Sequence, residues 1–247
     1  LSLIIESLND TPVYRWEELQ KTGYSGWIAR IENLISHVDY LRIDHFRGLV
    51  AYWEIPAGSE TAVTGRWVDA PARDFLGCLA RKFPYLPIIA EDLGVITPEV
   101  REIIHDFSIP GMKILLFAFG HDMPQNPYII HHVPADCIVY TGTHDNNPIQ
   151  GWYTQDTSQV ERDNLARYLG REIDAGMIND ALIRLTMMSG AKTVVIPMQD
   201  LLGLGSESRM KRPGIENGNW RWRVERSAWS GDLARRMREM AQIYDRI

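Results

Sequence analysis

Hydrophobic and polar positions along this chain switch between two periods. Trp27, Ile28, Ile31, Leu34 and Ile35 recur at helical spacing, which predicts an amphipathic helix over roughly 16–38, interrupted near Gly23. Residues 1–13 carry no such period and read as an irregular lead-in. Short, continuously apolar runs follow: Leu41 to His45, Ile88 to Ala90, Lys113 to Phe119, Cys137 to Thr141 and Thr193 to Pro197. Runs of this kind predict buried parallel strands with both faces covered. Helical stretches lie between and after them. Pro71 to Lys82 is one. A second starts at a Thr97 cap with Pro98 in its first position and Val100, Ile103 and Ile104 as its apolar face. Ala181 to Ser189 is a third, and Asp232 to Tyr244, with Asp232 as its expected N-cap, closes the chain. Strands alternating with helices predict an α/β fold with a parallel sheet, and residues 1–247 read as one structural unit without repeats or a low-complexity linker.

Composition adds exclusions. The 247 residues carry a net charge of −6, which favours neither nucleic-acid nor anionic-membrane binding and suits a neutral substrate. Apolar residues make up 45%, enough for a sizeable core. Cys78 and Cys137 both sit in apolar surroundings and read as reduced thiols rather than a disulfide. No signal-peptide pattern or membrane-length apolar run is present, so the expected compartment is the cytoplasm. His131-His132 has no acidic or Cys partner at ligand spacing, and no metal or cofactor is implied.

Three acids stand at or just after the apolar runs. They are Asp44 in Leu41-Arg42-Ile43-Asp44-His45-Phe46-Arg47-Gly48, Glu91 in Pro87-Ile88-Ile89-Ala90-Glu91-Asp92-Leu93-Gly94, and Asp145 in Val139-Tyr140-Thr141-Gly142-Thr143-His144-Asp145-Asn146. Parallel α/β barrels present their chemistry at the C-terminal ends of strands, and glycosyl chemistry needs paired carboxyl groups across one bond. A single strand-end acid is as readily a helix cap or an ion-pair partner. Arg42 lies two residues before Asp44, so strand alternation sends both side chains to one side, where the guanidinium favours the ionised form of Asp44. Alternation aims Glu91 and Asp92 in opposite directions. Aromatic residues that could stack on sugar faces are Tyr52, Trp53, Trp67, Trp152 and Tyr153, of which Trp53 carries the most weight.

The words around these acids closely resemble the amylomaltases, bacterial 4-α-glucanotransferases called disproportionating enzymes in plants. The resemblance extends to Tyr52-Trp53-Glu54-Ile55-Pro56-Ala57-Gly58, Pro110-Gly111-Met112-Lys113, Gln199-Asp200-Leu201-Leu202-Gly203-Leu204-Gly205-Ser206-Glu207 and Gly218-Asn219-Trp220-Arg221-Trp222-Arg223. It implies a (β/α)8 TIM-barrel type fold, represented here by about its last five strands with their helices. The barrel is then incomplete, as in the C-terminal half of a longer enzyme, whether by truncation, partial gene or split chain. Open sheet edges would invite a separate N-terminal half or self-association.

The resemblance also implies roles. Asp44 is the nucleophile that forms a covalent glucosyl intermediate, and Glu91 the general acid/base, whose task needs a raised pKa. Asp145 is the third catalytic acid and His144 a contact to the same sugar ring. Arg42, Trp53 and Asp92 complete the substrate-binding set, with Asp92 open between a rim contact and a structural role, and His45 between support of the site and packing. The chain departs from the family's usual pattern at Asn147-Pro148-Ile149, Gly120-His121 and Lys211. These departures imply retained donor chemistry with altered acceptor binding or chain-length preference. The expected activity is retaining transfer of α-1,4-linked glucan segments between maltooligosaccharides. The alternatives are an inactive or glucan-binding fragment, and a chain that needs its N-terminal half to complete the site.

Overall fold

A computed structural model describes residues 12–247. The expected lead-in therefore lies almost wholly outside the described residues. The chain forms two compact units, the first ending at Met112 and the second running from Lys113 to Ile247. No linker or shift in composition marks that division in the sequence.

The first unit opens with α1 (Trp16–Lys21) and α2 (Ser25–Ile35). The break falls where the sequence predicts it, and Gly23 and Tyr24 both adopt positive φ, +59° and +57°. Glycine takes that conformation freely; Tyr24 is held in it by packing. Its ring is fully buried, edge-on to Phe75 at 5.2 Å, and its hydroxyl donates to Asp74 at 2.7 Å. Strand β1 (Leu41–Ile43) is followed by an antiparallel hairpin, β2 (Ala51–Glu54) and β3 (Arg66–Asp69). Helix α3 (Ala72–Lys82), β4 (Ile88–Ala90) and α4 (Pro98–Asp106) complete the unit. Strands β1 and β4 pair in parallel, with Ile43 opposite Ala90. Phe46, Phe75, Leu76, Leu79, Ile88 and Val100 are buried together, and each side chain of this size contributes about 1.5–3 kcal/mol when fully buried.

The second unit holds a three-stranded sheet in the order β5 (Gly111–Ile114), β6 (Cys137–Tyr140), β7 (Thr193–Val195), with β5 beginning two residues before the division. Strands β6 and β7 are parallel. Around it stand α5 (Ile149–Gly151) with a π-turn to Asp156, α6 (Gln159–Leu169), α7 (Ile178–Met187), α8 (Met198–Leu201) and α9 (Gly231–Ile243). No helix among the described residues is long and apolar enough to cross a membrane.

An α/β architecture with parallel pairing is as predicted; several details are corrected. Seven strands are present among the described residues, because the β2–β3 hairpin adds to the five expected. Strand β5 ends at Ile114, and Leu115–Phe117 turn into a 3-10 helix. Leu115 and Leu116 stay buried through that turn, so apolar continuity does not reveal it. Helix α9 is capped by Ser230, whose Oγ accepts the Leu233 N–H at 3.1 Å, rather than by Asp232, which pairs with Arg235 inside the first turn. Thr97 occupies the cap position of α4, but its side chain makes no capping hydrogen bond to a helix N–H. Both cysteines are free thiols, Cys137 buried and Cys78 half-buried.

Candidate active site

In the first unit, parallel register sets two acids side by side. Ile43 and Ala90 are the paired last residues of β1 and β4, and Asp44 and Glu91 each come next. The Glu91 N–H donates to Ile43 O at 3.0 Å, and the Phe46 N–H returns to Glu91 O at 3.1 Å. Between them His45 adopts a left-handed conformation, φ +49°, uncommon for a residue with a side chain. That turn aims the His45 N–H at Glu91 Oε2, 2.8 Å away. Leu93 N–H reaches the other oxygen at 3.2 Å. The Glu91 carboxyl is thus fixed by two backbone donors, and the His45 backbone supports it directly.

Charge then divides the pair. Arg42 NH2 lies 2.6 Å from Asp44 Oδ1, the contact that alternation predicts. Its Nε points to the Met112 sulfur at 3.2 Å, so the guanidinium is braced from behind. Asp44 remains three-quarters exposed, whereas Glu91 is half-buried. Burial raises the Glu91 pKa above the ordinary carboxylate range, and the neighbouring Asp44 charge adds to the rise. The two backbone N–H groups and Arg42 act in the opposite direction without cancelling it.

Asp92 turns away from Glu91 and accepts the Met112 N–H at 2.6 Å. A Cβ on Gly111 would approach its carboxylate to 2.7 Å, so glycine is what lets the backbone come so close. Of its two open roles, the structural one is what this contact supplies. Trp53 is half-buried, bonded to Ala62 O at 2.8 Å and packed edge-on against its cross-strand partner Trp67. Trp67 is the exposed ring, at 54%, with the Arg47 guanidinium 4.5 Å from its centre. Trp152 is buried, and the Tyr153 hydroxyl bonds Ile173 O, so both serve the core.

In the second unit, Asp145 follows β6 in a loop tied by the Asn146 side chain to the Thr143 N–H and hydroxyl. His144 Nε2 lies 3.3 Å from Asp145 Oδ2. Lys211 Nζ lies 3.0 Å from Oδ1, within ion-pair distance though out of hydrogen-bond alignment. Arg209 donates to Asp145 O at 2.6 Å, and the Trp220 ring packs on His144 at 5.1 Å. Beneath the loop, Asp200 is fully buried and accepts the Thr141 hydroxyl at 2.5 Å and the Ile149 N–H at 2.8 Å. Burial raises its pKa, and those two donors moderate the rise. A cavity of about 150 Å³ is walled by Thr143, His144, Asn147, Gln199, Arg209 and Met210. A larger groove in this unit, about 720 Å³ and lined by residues such as His131, Tyr168 and Arg184, contains none of the candidate residues.

The departures at Asn147 and Lys211 both become contacts here. Asn147 is buried and bonds Ser206 at 2.9 Å, while Lys211 meets Asp145. Sequence reasoning met Lys211 only as a departure bearing on acceptor binding, and Asp200 and Trp220 only as members of longer motifs; it passed over Arg209.

Residues 10–228 match a family model described as 4-alpha-glucanotransferase. The chain is 49% identical to the 4-alpha-glucanotransferase of Aquifex aeolicus over 87% of its length and 44% of that protein. It is 46% identical to the Thermus thermophilus enzyme, over 96% of its length and 48% of that protein. The solved amylomaltase from Streptococcus agalactiae, in complex with acarbose, superimposes with a TM-score of 0.89 at 34% identity, over 95% of this chain and 47% of that one. The chain spans about half the length of the curated relatives it matches. With a family match over most of its residues, the chain belongs to the 4-alpha-glucanotransferase family.

Proposed function

We propose that this chain carries the acid pair of a retaining 4-α-glucanotransferase. The observation that supports the reading most is the division of Asp44 and Glu91 across adjacent parallel strands. Retaining transfer needs two carboxyl groups about 5–5.5 Å apart, and neighbouring strands run about 4.8 Å apart. Asp44, exposed and held at 2.6 Å by Arg42, is the nucleophile. Its carboxylate attacks the anomeric carbon, forming a C–O bond as the glycosidic C–O bond breaks. Glu91, with its raised pKa, gives its proton to the departing oxygen. In the second half-reaction Glu91 takes the proton of the acceptor's 4-hydroxyl, whose oxygen displaces Asp44. Asp145 and His144 take hydroxyls of the reacting glucose, and Trp53 with Trp67 supplies an aromatic wall for the glucan.

The finer architecture belongs to the same reading. Strands β1, β4, β5, β6 and β7 are the last five of a (β/α)8 barrel, and the β2–β3 hairpin is an excursion from it. Free thiols fit a reducing compartment, the cytoplasm. A second reading is favoured by one observation, the chain's match to only about half of its relatives. Under it the chain binds glucan, or turns it over only with a separate N-terminal half.

Incubating the purified protein with maltotriose, beside an Asp44→Asn control, tests the first reading. Glucose plus a ladder of longer maltooligosaccharides, absent from the control, is the expected result. A ladder that persists in Asp44→Asn removes Asp44 from the role of nucleophile. No ladder from either protein, with glucan binding intact, leaves the second reading standing in place of the first.

A further inference from the structure

The segment from Arg209 to Trp220 is built as a strap over the His144–Asp145 loop. Arg209 bonds both sides of the junction, with NH2 to Asp145 O at 2.6 Å and Nε to Lys211 O at 2.9 Å. The Lys211 N–H donates to His144 O at 3.1 Å, and the Trp220 N–H to Met210 O at 2.6 Å. Trp220 sits at φ +62°, a conformation costly for a large side chain. In that conformation its indole packs on the His144 imidazole at 5.1 Å and 33°. Asn219 closes the strap by accepting the Arg212 N–H at 2.9 Å.

The strap therefore delivers two side chains. One is Trp220, half exposed, lying on His144. The other is Lys211, whose ammonium stands 3.0 Å from Asp145 Oδ1. Oδ2 of the same carboxylate faces His144 Nε2 at 3.3 Å. Side-chain exposures of 33% for Lys211, 34% for His144 and 40% for Asp145 leave one reachable edge shared by an ammonium, an imidazole and a carboxylate. An ammonium carries three donors, and its contact with Asp145 Oδ1 is an ion pair outside hydrogen-bond alignment. Adjacent sugar hydroxyls each present a donor and an acceptor, which such an edge can meet together, while the indole offers a face to the ring carbons.

We propose that Lys211 is a substrate-positioning residue of the Asp145 site: it fixes the Asp145 carboxylate and donates to a glucosyl hydroxyl next to the one Asp145 accepts. This rests on the glucanotransferase reading above. Lys211→Met keeps the aliphatic stem and removes the charge; Lys211→Arg keeps the charge. Binding of maltohexaose is measured by calorimetry in an Asp44→Asn background, where turnover is blocked, and kcat and KM for maltotriose in the otherwise native protein. Lys211→Met is expected to weaken maltohexaose binding roughly tenfold, the scale of one charge-assisted hydrogen bond, and to lower kcat/KM to match. Lys211→Arg is expected to restore both to within about threefold, and the melting temperature of each variant to stay within about 2 °C of the parent, as for a partly exposed ion pair.

Native affinity in Lys211→Met, with Asp145→Asn weakened, overturns the proposal alone. Equal losses in the Met and Arg variants together with lowered melting temperatures also overturn it, since they describe a merely structural lysine. If neither Asp145→Asn nor Lys211→Met alters binding or turnover, the reading of the Asp145 site fails and takes the proposal with it.

Discussion

At the scale of single residues, the acid pair draws its asymmetry from a few groups. Asp44 has Arg42 and solvent; Glu91 has partial burial, two backbone donors and Asp44 beside it. Arg42 acts on both acids, pairing with Asp44 while holding the Glu91 pKa below where burial alone would set it. Arg42→Met should therefore let that pKa rise further. A group that must be protonated to act loses activity as pH climbs through its pKa, so the alkaline limb of kcat/KM for maltotriose should move to higher pH. The same change should lower kcat/KM at its optimum at least ~10-fold, since a hydrogen bond to a charged group contributes about 1.5–3 kcal/mol. A limb that stays in place, or moves down, would show that Arg42 does not act on Glu91. The Arg42–Asp44 contact was legible in the sequence through strand alternation, whereas the coupling of Asp44 with Glu91 came from the resemblance and its register from the structure. The turn at His45 was not legible: a positive φ on a histidine answers to the Glu91 carboxyl it serves, which lies 46 positions away in the chain.

At the scale of elements, the second unit depends on a buried acid that no periodicity announces. Asp200, at the start of α8, ties the end of β6 to the start of α5 by accepting from Thr141 Oγ1 and the Ile149 N–H. Its own backbone O accepts the Asn179 side chain from α7 at 2.9 Å. Thr141→Val removes one donor from a nearly dry carboxylate and should cost about 2–3 kcal/mol of stability at pH 7, read from the urea midpoint. The sign with pH follows from linkage. The folded pKa of Asp200 is raised, so its contribution to stability is fullest below the unfolded value and is lost as pH rises through the folded one. Removing Thr141's donor raises that pKa again, so the deficit should be smaller near about pH 5 than at pH 7. An equal deficit at both values would mean that Asp200 stays protonated across the range. Sequence reasoning met Asp200 only as part of a longer motif, since a buried acid in a short helix leaves no periodic trace. It also passed over α6, although Ser158 and Glu161 form a complete capping box and Gly170 ends the helix at φ +69°. That pair of signals was available, and the polar character of the helix face hid it.

At the scale of the whole molecule, the strands differ in how well they are covered. Strand β6 is buried along its first three residues, and β4 nearly so. Strand β1 is half-buried throughout, and β7 is exposed at both ends. The sequence predicted both faces covered for all of them, although Arg42 interrupts Leu41–Ile43 and Thr193 opens Thr193–Val195. Among the described residues β1 and β4 pair only with each other and β7 pairs only with β6, while β4 gains a further bond where the Ala90 N–H donates to Pro110 O at 2.9 Å. Apolar strands with an open edge are adhesive, and the relatives this chain matches are about twice its span. Strands supplied from outside the described residues should therefore bind here. The part of the Aquifex aeolicus relative that this chain does not match is a ready source. Mixed with the purified chain, it should co-elute on a sizing column, raise the melting temperature by mass action, and increase the yield of maltooligosaccharide ladder from maltotriose. A ladder that forms only in the mixture would identify the second half as a participant in the site. Binding without any gain in ladder would confine it to covering the edges. Separate elution, with the chain alone running as a larger, concentration-dependent species, would show that the open edges of β1 and β7 satisfy one another between copies instead.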